Sequence, residues 1–173
     1  MFKRILMISA AAVALAAVSP RQASAQSVYV MAGGAFPTGD FGSAFDTGWM
    51  VASGLKLPFG PGGLWLGVEG SYGQNGTAVD EVDANPIGAM GRLGLDIPIP
   101  GGLNPYVFIG GGLLALKASV GDLSDTVSKF GYQVGGGFNL GSGPISPFIE
   151  VRYEGSEDID FFGANIGLSV GLN

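Results

Sequence analysis

The chain has 173 residues, of which only 13% are charged and 32 are glycine, and it contains neither cysteine nor histidine. Without cysteine there is no disulfide and no thiolate metal site, and without histidine the commonest general base and transition-metal ligand is missing. The net charge of −6 argues against a nucleic-acid-binding surface, because such a surface would repel phosphates.

The first 25 residues have the pattern of a Sec signal peptide. Lys3 and Arg4 precede an apolar run over residues 5–18, and Ala23-Ser24-Ala25 supplies a small-residue cleavage site. An N-terminal anchor helix is the alternative, but the run is shorter than the ~20 apolar residues that span a bilayer. We predict cleavage after Ala25 and a mature domain over 26–173. Three basic residues are lost with the signal, so five remain against 14 acids and the mature net charge is −9.

The rest of the chain alternates with period two, as strands with two different faces do. From Phe162 to Leu172 every second residue is apolar, and the residues between them are glycine, asparagine or serine. Most of these segments reach the ~9–11 residues with which a tilted strand crosses a bilayer. Eight strands are predicted, at 27–36, 47–58, 64–74, 87–98, 105–117, 130–140, 147–154 and 161–172.

The predicted connections alternate between short and long. Gly/Pro-rich turns lie at 60–63, 100–102 and 141–144, and longer polar loops lie at 37–46, 75–86, 118–129 and 155–160. A membrane barrel has short periplasmic turns and longer outer loops. The sequence therefore predicts an all-β fold, an eight-stranded antiparallel up-and-down transmembrane β-barrel.

One face of the predicted strands is apolar and the other carries glycine and a few charges. The apolar face suits lipid, and the charged face suits a narrow lumen; the alternative, a soluble sheet with a solvated face, would expose far too much apolar area. The charges sum to zero, so we expect them to pair and plug the lumen, with Glu69 and Arg92 nearly opposite each other. The predicted lumen charges are Lys56, Glu69, Arg92, Asp96, Glu150 and Arg152.

Aromatic residues near the strand ends are expected to form two girdles at the membrane interfaces. Those on the loop side are Trp49, Tyr72, Phe130, Tyr132, Tyr153 and Phe162. Those on the turn side are Tyr106, Phe108 and Phe138.

The long loops, with their flanks, hold eleven of the 14 acids, Glu154 among them. Solvated acidic loops are the simpler interpretation. Weak binding of divalent cations, which could bridge to lipopolysaccharide, is the alternative, although the spacing is not that of a defined calcium loop. The acidic loop residues singled out are Asp80, Glu81, Asp83, Glu157, Asp158 and Asp160.

The segments Pro105–Gly112 and Pro147–Tyr153 resemble the "Pro-Tyr strand into glycines" and "Glu-x-Arg-Tyr" strands of the outer-membrane β-barrel domain family, which includes OmpA-type and OmpX-type eight-stranded barrels. The resemblance covers the mature chain and implies a Gram-negative outer-membrane, porin-like protein. One departure is Asn173, because many members end in Phe, part of the signal for the insertion machinery.

The sequence contains neither a Walker phosphate loop nor a GxGxxG that opens a helix after a strand. Enzymes of the family depend on histidine, so we predict no enzyme, no catalytic residue, no metal and no cofactor. The expected function is structural or surface-interacting; a narrow channel or carrier for small or hydrophobic solutes is the alternative. The expected partners of this monomer are outer-membrane lipids, lipopolysaccharide and the barrel insertion machinery, and not nucleic acid.

Overall fold

A computed structural model describes residues 26–59, 62–77, 82–100, 103–120, 123–141, 143–157 and 159–172. The predicted signal peptide lies outside the described residues, as do the acids Asp80, Glu81 and Asp158, and of Asp83 only the backbone is described.

Eight antiparallel strands close into a barrel in which neighbours in the chain are neighbours in the sheet and β8 returns to β1. The closing seam is long, running from Gln26↔Leu172 to Pro37↔Phe161. This confirms the predicted fold class. The strands are β1 Gln26–Pro37, β2 Phe45–Pro58, β3 Leu64–Thr77, β4 Val82–Asp96, β5 Asn104–Val120, β6 Leu123–Asn139, β7 Ile145–Gly155 and β8 Asp160–Leu172.

One short helix, α1 (Gly39–Ala44), connects β1 to β2 where a polar loop was predicted. Among the described residues, no helix is long and apolar enough to cross a membrane.

The predicted long loops at 75–86 and 118–129 were wrong, because most of both segments is strand. Pairing between β5 and β6 continues up to Val120↔Leu123, and β3 and β4 pair as far out as Asn75↔Ala84. The polar residues there alternate with β-branched and small residues. This pattern is compatible with a β-hairpin that extends beyond the membrane. Connection length therefore does not distinguish the two ends of the barrel, whereas the extension of these strands does.

The outer surface carries a continuous apolar band. In β5 the outward residues from Pro105 to Leu113 cover nine positions, enough for a tilted strand to cross a bilayer. Val107, Ile109 and Leu113 are each more than half exposed, and Ile166 of β8 is 71% exposed. Apolar exposure around a whole barrel is stable only in lipid.

Aromatic side chains form a girdle at the end of this band that faces the predicted loops. Trp49 packs against Tyr72 with ring centroids 5.8 Å apart, and Tyr132 packs against Tyr153 at 6.2 Å. Phe130, two positions before Tyr132 in β6, is the most exposed of them at 73%. Beyond the girdle, β3 to β6 continue into polar residues.

The predicted turn-side girdle was wrong for Tyr106 and Phe108, which point into the barrel and are almost fully buried. Residues 106–109 are Tyr-Val-Phe-Ile, so both faces of this strand are apolar and the alternation alone does not tell them apart. Phe138 does face outward.

Candidate functional site

The inner face of the barrel holds all six charged residues that the sequence assigned to the lumen. Four of them, Glu69, Arg92, Glu150 and Arg152, lie at mid-height and are almost completely buried. Lys56 and Asp96 form a separate, partly exposed pair nearer the turn end, with Nζ 2.6 Å from Oδ1.

Glu69 of β3 is held by donors from three other strands. Tyr29 donates its hydroxyl to Oε2 at 2.8 Å, Nη1 of Arg92 lies 2.9 Å from the same oxygen, and Nη1 of Arg152 donates to Oε1 at 2.6 Å. Charge-assisted hydrogen bonds of this kind are about twice as strong as neutral ones. One carboxylate therefore ties β1, β4 and β7 together across the lumen.

Arg92 of β4 makes the complementary set of contacts. Its Nη2 donates to Oε1 of Glu150 at 2.9 Å and to Oε1 of Gln133 at 3.0 Å, and its guanidinium lies 3.9 Å from the centre of the Phe108 ring. Tyr106 donates its hydroxyl to Oε2 of Glu150 at 2.9 Å. The inward position of Tyr106 and Phe108 is thus part of the charge network.

Glu154 was counted among the loop acids, and this was wrong. It is fully buried in the lumen at the end of β7, with Oε1 3.1 Å from Nη2 of Arg152. Neither of its carboxylate oxygens has a hydrogen bond of good geometry. With Glu154 included, the described lumen holds four carboxylates and three cations, so its formal charge is −1 and not zero. We call the mid-height group the polar layer; its members are Tyr29, Glu69, Arg92, Tyr106, Gln133, Glu150, Arg152 and Glu154.

Above the polar layer, toward the predicted loops, the lumen is filled with apolar side chains. Phe41 of α1 reaches down into it, and Ile159 enters from the connection between β7 and β8. The helix is held over the barrel by the Thr38 amide, which donates to the Asp160 carbonyl at 2.8 Å. We call this group the loop-end cap; it consists of Ala35, Phe41, Met50, Met90, Leu114, Ile159 and Phe161.

Below the polar layer, the lumen opens into a cavity of about 460 Å³ at the turn end. The Trp65 ring forms part of its wall and lies against the backbone of Gly94, where any Cβ would collide with the indole. Nζ of Lys56 lies 4.7 Å from the centre of the Trp65 ring and 5.5 Å from that of Tyr106. We call this cavity the turn-end vestibule.

Those acidic loop residues whose side chains the structure describes, Glu157 and Asp160, do not form one site. Glu157 pairs with Lys129 at 2.6 Å and is otherwise exposed, and Asp160 begins β8 beside Gly155. Within the described ranges there is no group of three or more acids that could hold a metal ion.

Sequence reasoning missed Trp65, Tyr29, Gln133 and Phe148 as lumen residues. A signal was present in strand parity, because Trp65 has the same parity as Glu69 and Phe148 the same as Glu150. Aromatic residues in such barrels are usually expected to face outward. This expectation hides the inward parity of Trp65 and Phe148.

A closed antiparallel barrel with an apolar exterior and a layer of buried charges across its lumen defines a transmembrane β-barrel of the outer membrane. The chain belongs to the outer membrane protein beta-barrel domain family, whose model matches residues 8–173, and the protein is accordingly located in the outer membrane.

Several solved barrels are similar in fold. Neisserial surface protein A superposes with a TM-score of 0.76 at 18% identity, covering 88% of this chain and 100% of that one. The N-terminal barrel of OprF from Pseudomonas aeruginosa gives 0.57 at 18% identity, covering 84% and 97%. Ail, the attachment invasion locus protein of Yersinia pestis, gives 0.54 at 18% identity, covering 86% and 99%. No curated protein matches the chain significantly by sequence.

Proposed function

We propose that this protein is a closed outer-membrane barrel with a structural and surface-interaction role, without enzymatic activity. The observation that carries the proposal is that the lumen is crossed by two successive barriers, the polar layer and the loop-end cap. A solute would have to displace buried ion pairs and then a packed apolar cluster.

The first barrier is costly to open. Breaking a buried ion pair by removing one partner destabilises proteins by about 3–5 kcal/mol, and Glu69 and Arg92 each have two ionic partners. The second barrier is a cluster of buried apolar side chains, in which Ala35 and Leu114 are completely buried. Both argue against steady passage of ions or water.

The surface role is supported by the part of the barrel that extends beyond the aromatic girdle. There β3 to β6 project as polar strands, and the side chain of Glu157 is 76% exposed. Two proteins of similar fold bear the names surface protein and attachment invasion locus protein, which agrees with this role at the level of fold. The proposed partners are lipids and lipopolysaccharide along the apolar band, and the insertion machinery for the unfolded chain.

A narrow channel or carrier is the second candidate, and the turn-end vestibule is the observation that favours it. Recordings in planar bilayers distinguish the two. We expect no steady conductance from the folded wild type, with an open porin in the same bilayer as positive control and the heat-sensitive electrophoretic shift of the barrel as proof of folding. A large, steady conductance would contradict the closed barrel and support the channel.

The surface role also requires the extended strand ends to lie on the outside of the cell. Because the chain has no cysteine, single introduced cysteines are unique labels. We expect a membrane-impermeant maleimide to label Glu157→Cys in intact cells and to leave Leu103→Cys, at the turn end, unlabelled until the cells are lysed. The reverse pattern would invert the orientation and remove the basis for a surface role.

A further inference from the structure

We infer that the outer face of the barrel binds the ammonium headgroup of a membrane lipid at a site formed by Tyr132, Tyr153 and Asp160. We call these three residues the interfacial site. The inference goes beyond the proposed function, which requires no particular headgroup. It depends neither on whether the lumen is closed nor on which side of the membrane the loop end faces.

The three side chains meet over one glycine on the outer face. Tyr132 of β6 and Asp160 of β8 stand on either side of Gly155 in strand register. A Cβ at Gly155 would lie 2.6 Å from Oδ1 of Asp160 and 2.7 Å from the Tyr132 hydroxyl. Tyr153, two positions before Gly155 in β7, interacts with both of these side chains. The carboxylate is therefore held between two phenol rings, in a space that a side chain at position 155 would fill.

The charge of Asp160 has no basic partner. Among the residues whose side chains the structure describes, no lysine or arginine lies within 4 Å of its carboxylate, whereas Asp96 and Glu157 each have a lysine at 2.6 Å. Asp160 is also half-buried. Because charges removed from water are normally paired, the interfacial site has one negative charge that a bound cation would compensate.

The surroundings of Asp160 favour an organic ammonium ion over a metal ion. Ca²⁺ takes about six to eight oxygen ligands, and the described residues include no group of three or more acids that could hold a metal. The rings of Tyr132 and Tyr153 have centroids 6.2 Å apart and planes inclined by 39°. Aromatic faces attract ammonium groups within about 6 Å of the ring centre, and Tyr132 is 47% exposed, so its ring is accessible.

The position of the interfacial site points to a lipid as the source of the ammonium group. The site belongs to the aromatic girdle, the level at which lipid headgroups lie. On the apolar side, Val134 and Phe162 flank Tyr153 in strand register and are 49% and 44% exposed. A lipid with its ammonium group at Asp160 can lay an acyl chain on these two residues, whereas a free amine gains nothing from them. Ethanolamine and choline headgroups fit this description, and the carboxylate opposes an anionic headgroup.

Titration with short-chain lipids tests the site in the barrel folded in a neutral maltoside detergent. The backbone amide resonance of Gly155 is the reporter, and that of Gly70, on the lipid face of β3, is the control. We expect dihexanoylphosphatidylethanolamine to shift the Gly155 resonance saturably in the millimolar range and to leave Gly70 unchanged. Dihexanoylphosphatidylglycerol has the same chains and an anionic headgroup, and free ethanolamine has no chains; both should bind more weakly by about tenfold or more.

A matched pair of acid variants locates the charge. Asp160→Asn keeps the shape of the side chain and removes its charge, and we expect it to weaken binding by about tenfold. Glu157→Gln is the control, because Glu157 lies three positions away and already pairs with Lys129, and it should leave binding unchanged. Tyr132→Leu removes one ring without touching the acid and should also weaken binding. The heat-sensitive electrophoretic shift of each variant shows that it has folded.

Four results would overturn the inference. The first is an unsaturable response, and the second is equal binding of the phosphatidylglycerol. The third is equal binding by the wild type and Asp160→Asn. The fourth is displacement of the lipid by Ca²⁺ at equal concentration, which would make this a metal site. Equally tight binding of free ethanolamine would leave the ammonium chemistry in place and reject the lipid as its source.

Discussion

Arg92 and Glu69 form an ion pair along a diagonal of the sheet. In strand register Arg92 stands opposite Gly67, yet its Nη1 reaches Oε2 of Glu69 at 2.9 Å. Diagonal neighbours two residues apart remain within reach of long side chains. The pairing leaves the second oxygen of Glu69 free to receive Arg152 from the opposite side of the lumen.

We expect the stabilities of Glu69→Gln and Arg92→Met to be coupled. The double variant should lose less stability than the sum of the two single variants, by about 0.5–3 kcal/mol, because the second substitution removes a group that the first left without its partner. Urea unfolding in lipid vesicles measures all four states. Glu69→Gln combined with Ile166→Ala on the lipid face should be additive, and additivity for the lumen pair itself would refute the coupling.

Arg152 and Glu154 should respond in opposite ways to neutralisation. Arg152 lies within 4 Å of three carboxylates, so Arg152→Met leaves a lumen of formal charge −2 and should cost about 3–5 kcal/mol, as for other broken buried pairs. Glu154→Gln brings the formal charge to zero and should be neutral or stabilising. Thermal unfolding of the two variants in the same vesicles tests the sign, and a large loss in Glu154→Gln would show that its carboxylate is required.

The two tryptophans should report opposite sides of the barrel wall. Trp49 is 46% exposed on the outer face and Trp65 is 3% exposed inside. In vesicles of brominated phosphatidylcholine we expect the emission of Trp49, isolated in Trp65→Phe, to be strongly quenched. The emission of Trp65, isolated in Trp49→Phe, should be nearly unaffected. Equal quenching of both would contradict the inward position of Trp65.

Gly94 should be intolerant of even one methyl group. An added Cβ would collide with the Trp65 ring, and overpacking of this kind costs about 1–3 kcal/mol. We expect Gly94→Ala to lower the urea midpoint and Gly70→Ala, which has open space, to leave it unchanged. Combining Gly94→Ala with Trp65→Leu should recover most of the loss; failure to recover would point to a backbone requirement instead.

Strand alternation was sufficient to predict the number of strands, their order and the inward position of the six charges. It worked because each face meets a chemically different environment, lipid outside and a confined polar lumen inside. Glu69 and Arg92 could even be placed near each other by counting from the centre of their hairpin.

The features that the sequence did not predict lie where the two faces of a segment do not differ in polarity, or where the segment is too short to show a pattern. Tyr106 to Ile109 is apolar on both faces, so nothing in the segment marks Tyr106 as a lumen residue until Glu150 is seen to need its hydroxyl. Glu154 lies next to a loop in sequence, and its burial depends on Arg152 of the same strand. Helix α1 is only six residues long, too short for a periodic signal, and it is fixed by Phe41 packing into the cap.

The polar layer affects the folding and the unfolding of the barrel differently. Glu69 and Arg152 are 83 positions apart in the chain, and Arg92 and Glu150 are 58 apart. Hairpins can form between neighbouring strands at any time, but these contacts exist only once the sheet has curled far enough for β7 to face β3 and β4. We expect these contacts to form after the transition state, in which case they slow unfolding and leave the folding rate unchanged. The pairing of neighbouring strands therefore sets how fast the barrel folds, and the ion pairs of its interior set how slowly it unfolds.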